Sequence, residues 1–259
     1  MLLAIDIGNS HITLGGYEEE TLRFMAHLVT ETRRTDDQYA IELNDIMMLY
    51  RINTHEIDGV IICSVVPELC STLKSAVYKV TGIVPMVLGP GVKTGLNILI
   101  DNPAQLGGDL VAGAVSAISK FSMPCIIFDL GTATTISVID KNGNFIGGMI
   151  CAGVGITLEA LTTRTALLPH VSIEKPATMI GKNSIDSMQS GLIIGTAAML
   201  DGMAERIEKE LGVSASLVAT GGLAPIVVSN CCRNITLCEN LLLDGLKIIY
   251  DKNKKSLKA

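Results

Sequence analysis

The feature that most limits how this chain can fold is a short segment that occurs twice. In each copy an apolar, strand-like run ends in aspartate, glycine follows two positions later, and a hydroxyl residue comes within two more positions. The first copy runs from Leu2 to Ser10 with its aspartate at Asp6, and the second runs from Cys125 to Thr135 with its aspartate at Asp129. A repeated unit of this kind predicts two structurally similar halves that face one cleft.

The residue types in each copy are typical of a phosphate-binding loop. The strand would fix the carboxylate, the glycine would let the backbone approach a phosphate, and Ser or Thr would supply N–H and O–H donors. One copy alone is equally typical of a strand followed by a tight turn, but two copies in one chain favour the phosphate site. The pair resembles the phosphate clamp of the actin, sugar-kinase and Hsp70 ATPase superfamily, in which ATP lies between duplicated halves.

Composition is consistent with a large apolar core and disfavours several classes of protein. Apolar residues make up 48% of the 259 residues, yet no apolar run approaches the roughly 18 residues of a membrane span. The formal net charge of -6 argues against a nucleic-acid partner, because affinity for a phosphate backbone depends on basic patches. The N-terminus lacks a basic segment and Asp6 interrupts its apolar run, so we expect no signal peptide, no membrane partner and a cytoplasmic protein. The one basic cluster is a tail that we expect to be a solvated end, formed by Lys252, Lys254, Lys255 and Lys258.

The cysteines and histidines do not suggest a metal site. The seven cysteines lack the C-x-x-C spacing of a zinc or redox site, and several lie in apolar runs, so we expect them to be buried and structural. They are Cys63, Cys70, Cys125, Cys151, Cys231, Cys232 and Cys238. The four histidines are also scattered without the spacing of metal ligands.

Alternating strand and helix patterns predict an α/β protein with an N-terminal half at residues 1–119 and a C-terminal half at residues 120–259. Strands are predicted near residues 2–7, 11–16, 22–29, 59–65, 125–129, 133–139 and 144–150. Helices are predicted at 36–50, from Pro67 onward, at 103–119 and at 184–211, the last with Asn183 as N-cap and Gly212 as its end. Gly191 and Gly195 share one face of that last helix, which suits either an internal packing contact or a dimer interface.

Further segments, taken in order, resemble one family over nearly the whole chain. They are Asp6 to Ser10, Gly89 to Leu96, Asp101 to Pro103, Gly107 to Asp109, Asp129 to Thr135, Gly147 and Gly148, Arg164 to Pro169, Ile180 to Ser184, and Thr220 to Gly222. Each is common alone, but their order and spacing together resemble the type III pantothenate kinases. The resemblance implies duplicated actin-like (ribonuclease H-like) halves with an ATP cleft between them, and ATP-dependent phosphorylation of the pantothenate hydroxyl, the first step toward coenzyme A.

The resemblance also implies cofactors and a nucleotide site. It implies a homodimer that uses ATP, Mg²⁺ and a monovalent cation, either K⁺ or NH₄⁺. The ATP phosphates would bind Asp6, Ile7, Gly8, Asn9, Ser10, His11, Ile12 and Thr13, with a further contact from Thr132. Asp6 would act on Mg²⁺ directly or through water, and Asp129 matches the family's monovalent-cation ligand.

For the acceptor, the resemblance implies one catalytic residue and a set of neighbours. Asp109 matches the general base that accepts the proton of the pantothenate hydroxyl; an ordinary surface acid at the border of a helix is the alternative. The implied acceptor site consists of Ile100, Gly107, Gly108, Asp109, Leu110 and Ser184, the last contributed across the dimer.

Three acceptor positions depart from the family pattern. Leu110 stands where the family usually has arginine, Ile100 where it has tyrosine, and Ser184 where it has threonine. Loss of a charge-assisted hydrogen bond costs about 1.5 to 3 kcal/mol. That loss would weaken binding or turnover roughly tenfold to a hundredfold. Candidate replacements for the missing cation are Arg33, Arg34 and Arg164.

Two functions therefore stay open at the level of sequence. The first is an active kinase, on pantothenate or on a related small alcohol that suits a more apolar pocket. The second is a nucleotide-binding pseudoenzyme that kept the ATP clamp and lost efficient chemistry. Retention of Asp6, Asp109 and Asp129 favours the enzyme.

Overall fold

The structure is a computed structural model of the chain, and it describes residues 1–254. Lys255 and Lys258 of the basic tail lie outside the described residues. The chain forms two compact units. Unit 1 comprises Met1–Gly95, Asn102–Ser116 and the segment from Leu241 onward, and unit 2 comprises Leu96–Asp101 and Ala117–Asn240. The division into continuous halves at residues 119 and 120 stays a prediction.

Strands and helices alternate along the chain, so the predicted α/β class is confirmed. The strands are β1 Leu2–Ile7, β2 His11–Glu18, β3 Thr21–Val29, β4 Gly59–Ser64, β5 Met86–Val87, β6 Asn97–Ile98, β7 Cys125–Leu130, β8 Ala133–Ile139, β9 Asn144–Ala152, β10 Ser216–Thr220 and β11 Thr236–Leu237. The helices are α1 Asp36–Leu49, α2 Pro67–Thr81, α3 Gly108–Lys120, α4 Val154–Arg164, α5 Ser184–Leu211, α6 Ala224–Val228 and α7 Leu241–Asn253. None of the helices within residues 1–254 is long and apolar enough to cross a membrane.

Each unit contains one sheet, and the two sheets share a plan. In unit 1 the strand order is β3-β2-β1-β4-β5, with β1, β2 and β3 as an antiparallel meander and β4 parallel to β1. In unit 2 the order is β11-β10-β7-β8-β9-β6, with β7, β8 and β9 as the meander and β10 parallel to β7. The repeated segment of the sequence therefore opens the same meander twice, as predicted.

The alternation of side chains along the first strand of each meander decides where its aspartate points. Leu3, Ile5 and Ile7 of β1 pack with residues of α1 and α2 in one core cluster. Successive residues of a strand face opposite sides, so Asp6 points to the other face of the sheet. In unit 2, Ile126, Phe128 and Leu130 of β7 pack with residues of α5 and α6. Asp129 therefore points away from that core.

One predicted helix is wrong at its start. The expected helix at 103–119 is divided into a single 3₁₀ turn, Pro103–Gln105, and α3, which begins at Gly108. The side chain of Asn102 caps the turn by accepting from the Ala104 N–H at 3.3 Å, and Leu106 is extended with φ -70° and ψ 123°. Glycine is a poor helix former, so the Gly107-Gly108 pair favours the break. Asp109 consequently lies in the first turn of α3.

The longest predicted helix is confirmed, with both of its ends. Asn183 accepts a hydrogen bond from the Asp186 N–H at 2.9 Å, as an N-cap does, and Gly212 ends α5 in the left-handed conformation with φ 68°. Helices α4, α6 and α7 were not predicted.

The expectation that the cysteines are all buried is wrong. All seven are free thiols, but only Cys63 and Cys125 are buried, and Cys232 is exposed. Cys232 lies in the turn after α6, where its backbone N–H donates to the carboxylate of Asp201 at 2.7 Å. That bond holds the backbone and leaves the side chain at the surface. The other four cysteines are half-buried.

Candidate functional site

The first aspartate-glycine segment forms a tight loop at the end of β1. Because β1 ends at Ile7 and β2 begins at His11, the loop consists of Gly8, Asn9 and Ser10. The Gly8 N–H donates to the carbonyl of His11 at 3.0 Å, and a Cβ on Gly8 would lie 3.0 Å from that same carbonyl oxygen. Asn9 and Ser10 are exposed, so the tip of the loop lies at the surface of unit 1.

The predicted loop residues have different exposures. Ile7 and Ile12 are fully buried in the core, which leaves only their backbone groups to act on a ligand. His11 is exposed, and the half-buried Thr13 shares a hydrogen bond of 3.2 Å with Nδ1 of His27.

Asp6 lies between two neighbouring strands that contribute unlike side chains. The register places Thr13 of β2 and Cys63 of β4 opposite Asp6. The thiol of Cys63 is 1% exposed and donates a hydrogen bond to the Asp6 carboxylate. Burial, followed by the negative charges of Asp6 and Asp109, raises the pKa of the Cys63 thiol well above its ordinary value. The thiol therefore stays protonated and remains a donor.

The glycine pair before Asp109 lies in tight packing. A Cβ on Gly107 would lie 2.3 Å from Oδ1 of Asp109, and a Cβ on Gly108 would lie 3.0 Å from Sγ of Cys63. The absence of a side chain at Gly108 lets the start of α3 approach Cys63 of β4, and its absence at Gly107 leaves room for the Asp109 carboxylate. As a result Asp6 and Asp109, which are far apart in sequence, share Cys63 as a neighbour.

The second aspartate-glycine segment repeats the arrangement in unit 2 with different neighbours. The Gly131 N–H donates to the carbonyl of Ala133 at 3.1 Å and closes a loop of two residues, Gly131 and Thr132. The register places Thr135 of β8 and Thr220 of β10 opposite Asp129.

Two buried hydroxyl groups lie on β8, directly after this loop. The Oγ1 atoms of Thr134 and Thr135 are buried, and neither has a hydrogen-bond partner among the described residues. Residues directly opposite in an antiparallel pair project to one face, so Thr135 lies on the face of Asp129. A buried hydroxyl without a partner is costly, so the Thr135 hydroxyl is a candidate ligand contact on that face, whereas Thr134 projects to the opposite face with Leu130.

Backbone rather than side chains encloses the second loop. A Cβ on Gly153 would lie 2.1 Å from the carbonyl oxygen of Thr132 and 2.7 Å from that of Gly131. Gly221, with φ 94°, approaches Asp129 so closely that a Cβ there would lie 2.7 Å from Oδ1. The neighbourhood thus offers carboxylate, hydroxyl and carbonyl oxygens, which are the ligands that hard cations prefer.

The metal-ligating side chains do not form a complete cage. Within residues 1–254 there is no group of three or more His, Cys, Asp or Glu residues that could hold a metal ion. A Mg²⁺ ion commonly keeps several waters and binds through one or two carboxylates and the phosphates of the substrate. The carboxylate of Asp6, fixed near the end of β1, suits that mode of binding.

Ser184 is one of the residues that line a cavity in unit 2. It is the first residue of α5, it is exposed, and it lines a cavity of about 770 Å³ with residues of α4 and of the 181–183 turn. Gly191 and Gly195 on the same helix are exposed, and among the described residues no atom lies within 4 Å of a Cβ built on either. The internal-packing interpretation of that glycine pair is therefore wrong.

Comparison with known proteins settles the family. Residues 2–206 match the family described as type III pantothenate kinase. The chain is 41% identical over 255 residues to a type III pantothenate kinase of Anaeromyxobacter dehalogenans, across 98% of this chain and 100% of the relative. It is also 41% identical over 256 residues to one of Myxococcus xanthus, across 99% and 100%. The chain belongs to the type III pantothenate kinase family.

Solved structures at low identity show that the fold is the actin-like fold of ATPases and sugar kinases. An activator of 2-hydroxyisocaproyl-CoA dehydratase from Clostridium difficile with bound ADPNP matches with a TM-score of 0.51 and 14% identity, over 99% of this chain and 97% of that one. A ROK hexokinase from Thermus thermophilus matches with a TM-score of 0.52 and 11% identity, over 97% and 99%. The predicted class of duplicated actin-like halves is confirmed.

Against the type III pantothenate kinase pattern, the two aliphatic departures lie in different units. Leu110 is half-buried on α3 in unit 1, and Ile100 is half-buried in unit 2. Of the candidate replacement cations, Arg34 is already engaged, because it pairs with Glu42 and lies over the ring of Tyr39 at 5.9 Å. Arg33 and Arg164 are exposed.

Proposed function

We propose that this protein transfers the γ-phosphoryl group of ATP to the primary hydroxyl of pantothenate, the first step of coenzyme A biosynthesis. Membership of the type III pantothenate kinase family across 98% of the chain carries this conclusion. The actin-like fold supports ATP as the donor. A nucleotide-binding pseudoenzyme, or a kinase for another alcohol, is not favoured by the comparisons.

The phosphates of ATP bind the loop of Gly8, Asn9 and Ser10, within the segment from Asp6 to Thr13, and Thr132 adds a contact. The exposure of Asn9 and Ser10 supports this assignment, because consecutive N–H groups in a glycine-containing loop form an anion-binding concavity. The tight closure of the loop at Gly8 supports it as well, because the donors are held before the nucleotide arrives.

Asp109 accepts the proton of the pantothenate hydroxyl. Its place in the first turn of α3, close to the same thiol that hydrogen-bonds Asp6, supports a role beside the phosphate loop. Phosphoryl transfer depends mainly on positioning and charge neutralisation, so the base does not need to be strong. Gly107 and Gly108 contribute by letting Asp109 take this position.

The two strand-end aspartates would each hold a cation. Asp6 would hold Mg²⁺, directly or through water, and Asp129 with the unpartnered hydroxyl of Thr135 would hold K⁺ or NH₄⁺. When bound, these ions supply positive charge that offsets the charge of the phosphates. The protein's part is to keep the carboxylates fixed at the ends of β1 and β7.

The enzyme works as a homodimer in which Ser184 completes the acceptor site of the partner subunit. The exposure of Ser184 and the open face at Gly191 and Gly195 support this arrangement. Large apolar residues near the start of α5 are also exposed, including Met179 at 72% and Ile180 at 80%, and apolar exposure of this kind commonly marks an interface. A cyclic two-fold dimer is the commonest oligomer.

A coupled assay of ADP release tests the function. ATP and MgCl₂ are supplied with KCl, and pantothenate is compared with related primary alcohols, while mass spectrometry identifies the product. We expect ADP release to depend on pantothenate and the product to be its phosphate ester. ADP release that is independent of pantothenate but depends on another alcohol would show that pantothenate is not the acceptor. ATP binding without ADP release in response to any alcohol would indicate the pseudoenzyme.

A further inference from the structure

Thr30, the residue that follows β3, makes two hydrogen bonds to the first loop. Its hydroxyl donates to the carbonyl of Gly8 at 2.7 Å, and its backbone N–H donates to the carbonyl of Ser10 at 3.0 Å. The first residue and the last residue of the loop are thus both tied to one threonine. No motif of the sequence marks Thr30.

The segment that carries Thr30 is itself anchored to the core of unit 1. The hydroxyl of Tyr39, a residue with 0% exposure, donates to the carbonyl of Glu31 at 3.0 Å and accepts from the N–H of Glu31 at 3.0 Å. Arg34 in the same segment pairs with Glu42 of α1 and lies over the Tyr39 ring. The backbone next to Thr30 is therefore anchored at Glu31, which keeps Thr30 in position to bond the loop.

The bond to the Gly8 carbonyl has a consequence for the next amide. In a planar trans peptide the C=O and the following N–H point in opposite directions. Fixing the Gly8 carbonyl on Thr30 therefore fixes the direction of the Asn9 N–H, away from Thr30. Asn9 is exposed, so its N–H is a donor set in advance for a ligand. Donors that need no reorganisation bind charge more strongly than mobile ones.

We propose that Thr30 is a positioning residue for the phosphates of the nucleotide, acting through the carbonyls of Gly8 and Ser10. This inference rests on the proposed function, because it takes the first loop as the phosphate site. It assigns Thr30 no contact with the acceptor, so the effect of its removal falls on ATP and not on pantothenate.

Three variants test this role. Thr30→Val removes the hydroxyl and keeps the shape, and Thr30→Ser keeps the hydroxyl. Thr81→Val is the matched control, since Thr81 lies in the same unit, donates to the carbonyl of Val77 at 2.8 Å and accepts from the N–H of Ile83 at 3.1 Å. The measurements are Kd for a non-hydrolysable ATP analogue by calorimetry, KM for ATP and for pantothenate, kcat, and Tm.

We expect Thr30→Val to raise the analogue Kd and the KM for ATP about three- to tenfold, the effect of one net hydrogen bond. The KM for pantothenate should stay within about twofold. Thr30→Ser should restore ATP binding to within about twofold, and Thr81→Val should lower Tm without changing the Kd. If Thr30→Val does not fold, Thr30→Ala removes the same hydroxyl without adding a methyl group.

Unchanged analogue binding in Thr30→Val or Thr30→Ala would overturn the inference, as would an equal loss in Thr81→Val. Gly8→Val is the reference for the loop itself, and if it binds the analogue normally, the loop assignment and the inference fail together. If the wild-type protein shows no pantothenate-dependent ADP release but its analogue binding still depends on Thr30, the proposed acceptor is wrong and the role of Thr30 stands.

Discussion

The two aspartate-glycine loops share a strand plan but differ in what holds them. The residue after the third strand of the meander is Thr30 in unit 1 and Gly153 in unit 2. Thr30 reaches the carbonyl of Gly8 with a hydroxyl, whereas Gly153 brings its own backbone against the carbonyls of Gly131 and Thr132. The first loop is tied by a side chain and the second by close approach.

The side chains next to the two aspartates also differ. Asp6 has the thiol of Cys63 as a donor, and Asp129 has Thr135, whose buried hydroxyl has no partner within residues 1–254. The exposed first loop suits the phosphates that we propose it binds, and the oxygen atoms around Asp129 suit the proposed monovalent cation. One strand plan thus presents two chemically different sets of neighbours.

The largest expected effect comes from Asp109, which lies near the first loop. We assign no corresponding acid to the second loop. Asp109→Asn should lower kcat about 100- to 10,000-fold and change the affinity for ATP only slightly, because the residue acts on the acceptor hydroxyl. Single-turnover assays and calorimetry measure the two quantities. Asp45→Asn, at an exposed position of α1, is the control. Wild-type turnover in Asp109→Asn would show that another group is the base.

A matched pair of glycine variants tests the contrast between the loops directly. A Cβ would lie 3.0 Å from the His11 carbonyl at Gly8 but 3.6 Å from Asp129 at Gly131, which is ordinary contact. We therefore expect Gly8→Val to weaken ATP binding more than about tenfold and Gly131→Val to weaken it less. Calorimetry on folded variants decides between them. A larger effect at Gly131 would reverse the assignment of the phosphate site.

Restoring the usual family residues should improve the use of pantothenate. Leu110→Arg and Ile100→Tyr together should lower the KM for pantothenate by up to about tenfold, because hydrogen bonds far from the transferred group stabilise ground and transition states alike. The single variants show whether unit 1 or unit 2 accounts for the gain. A loss of activity in the double variant would mean that the pocket is adapted to aliphatic side chains.

The smallest effects should come from the threonines opposite the two aspartates. Thr135→Val removes a buried hydroxyl that lacks a partner within residues 1–254, so we expect no loss of stability, or a gain of about 1 kcal/mol, together with weaker activation by K⁺. Thr13→Val breaks the hydrogen bond to His27 and should cost up to about 1 kcal/mol. Thermal unfolding and a K⁺ titration measure these changes. Equal losses in both variants would contradict the comparison.

The sequence predicted the parts of this molecule that depend on local signals. The two meanders were found because each strand has its own local apolar pattern. Helix α5 was found because Asn183 and Gly212, which set its two ends, are adjacent to those ends in sequence. The start of α3 was missed because the capped turn at Asn102 and the glycine pair outweigh the helical pattern of 103–119.

Contacts between distant segments could not be predicted in the same way. Cys63 comes beside Asp6 only through the parallel register of β4 on β1, and Thr30 meets Gly8 only because the meander returns β3 to the loop. No residue near Cys63 or Thr30 in sequence indicates these partners.

The burial of Cys63 gives the protein a built-in reporter of its own motions. A protonated thiol that is 1% exposed reacts with an alkylating reagent only when the strand and helix around it open. Cys232, which is exposed, reacts from the closed state and provides an internal reference in the same molecule. The ratio of the two labelling rates therefore measures how often the interior beside Asp6 opens, and nucleotide bound at the adjoining loop should slow that opening.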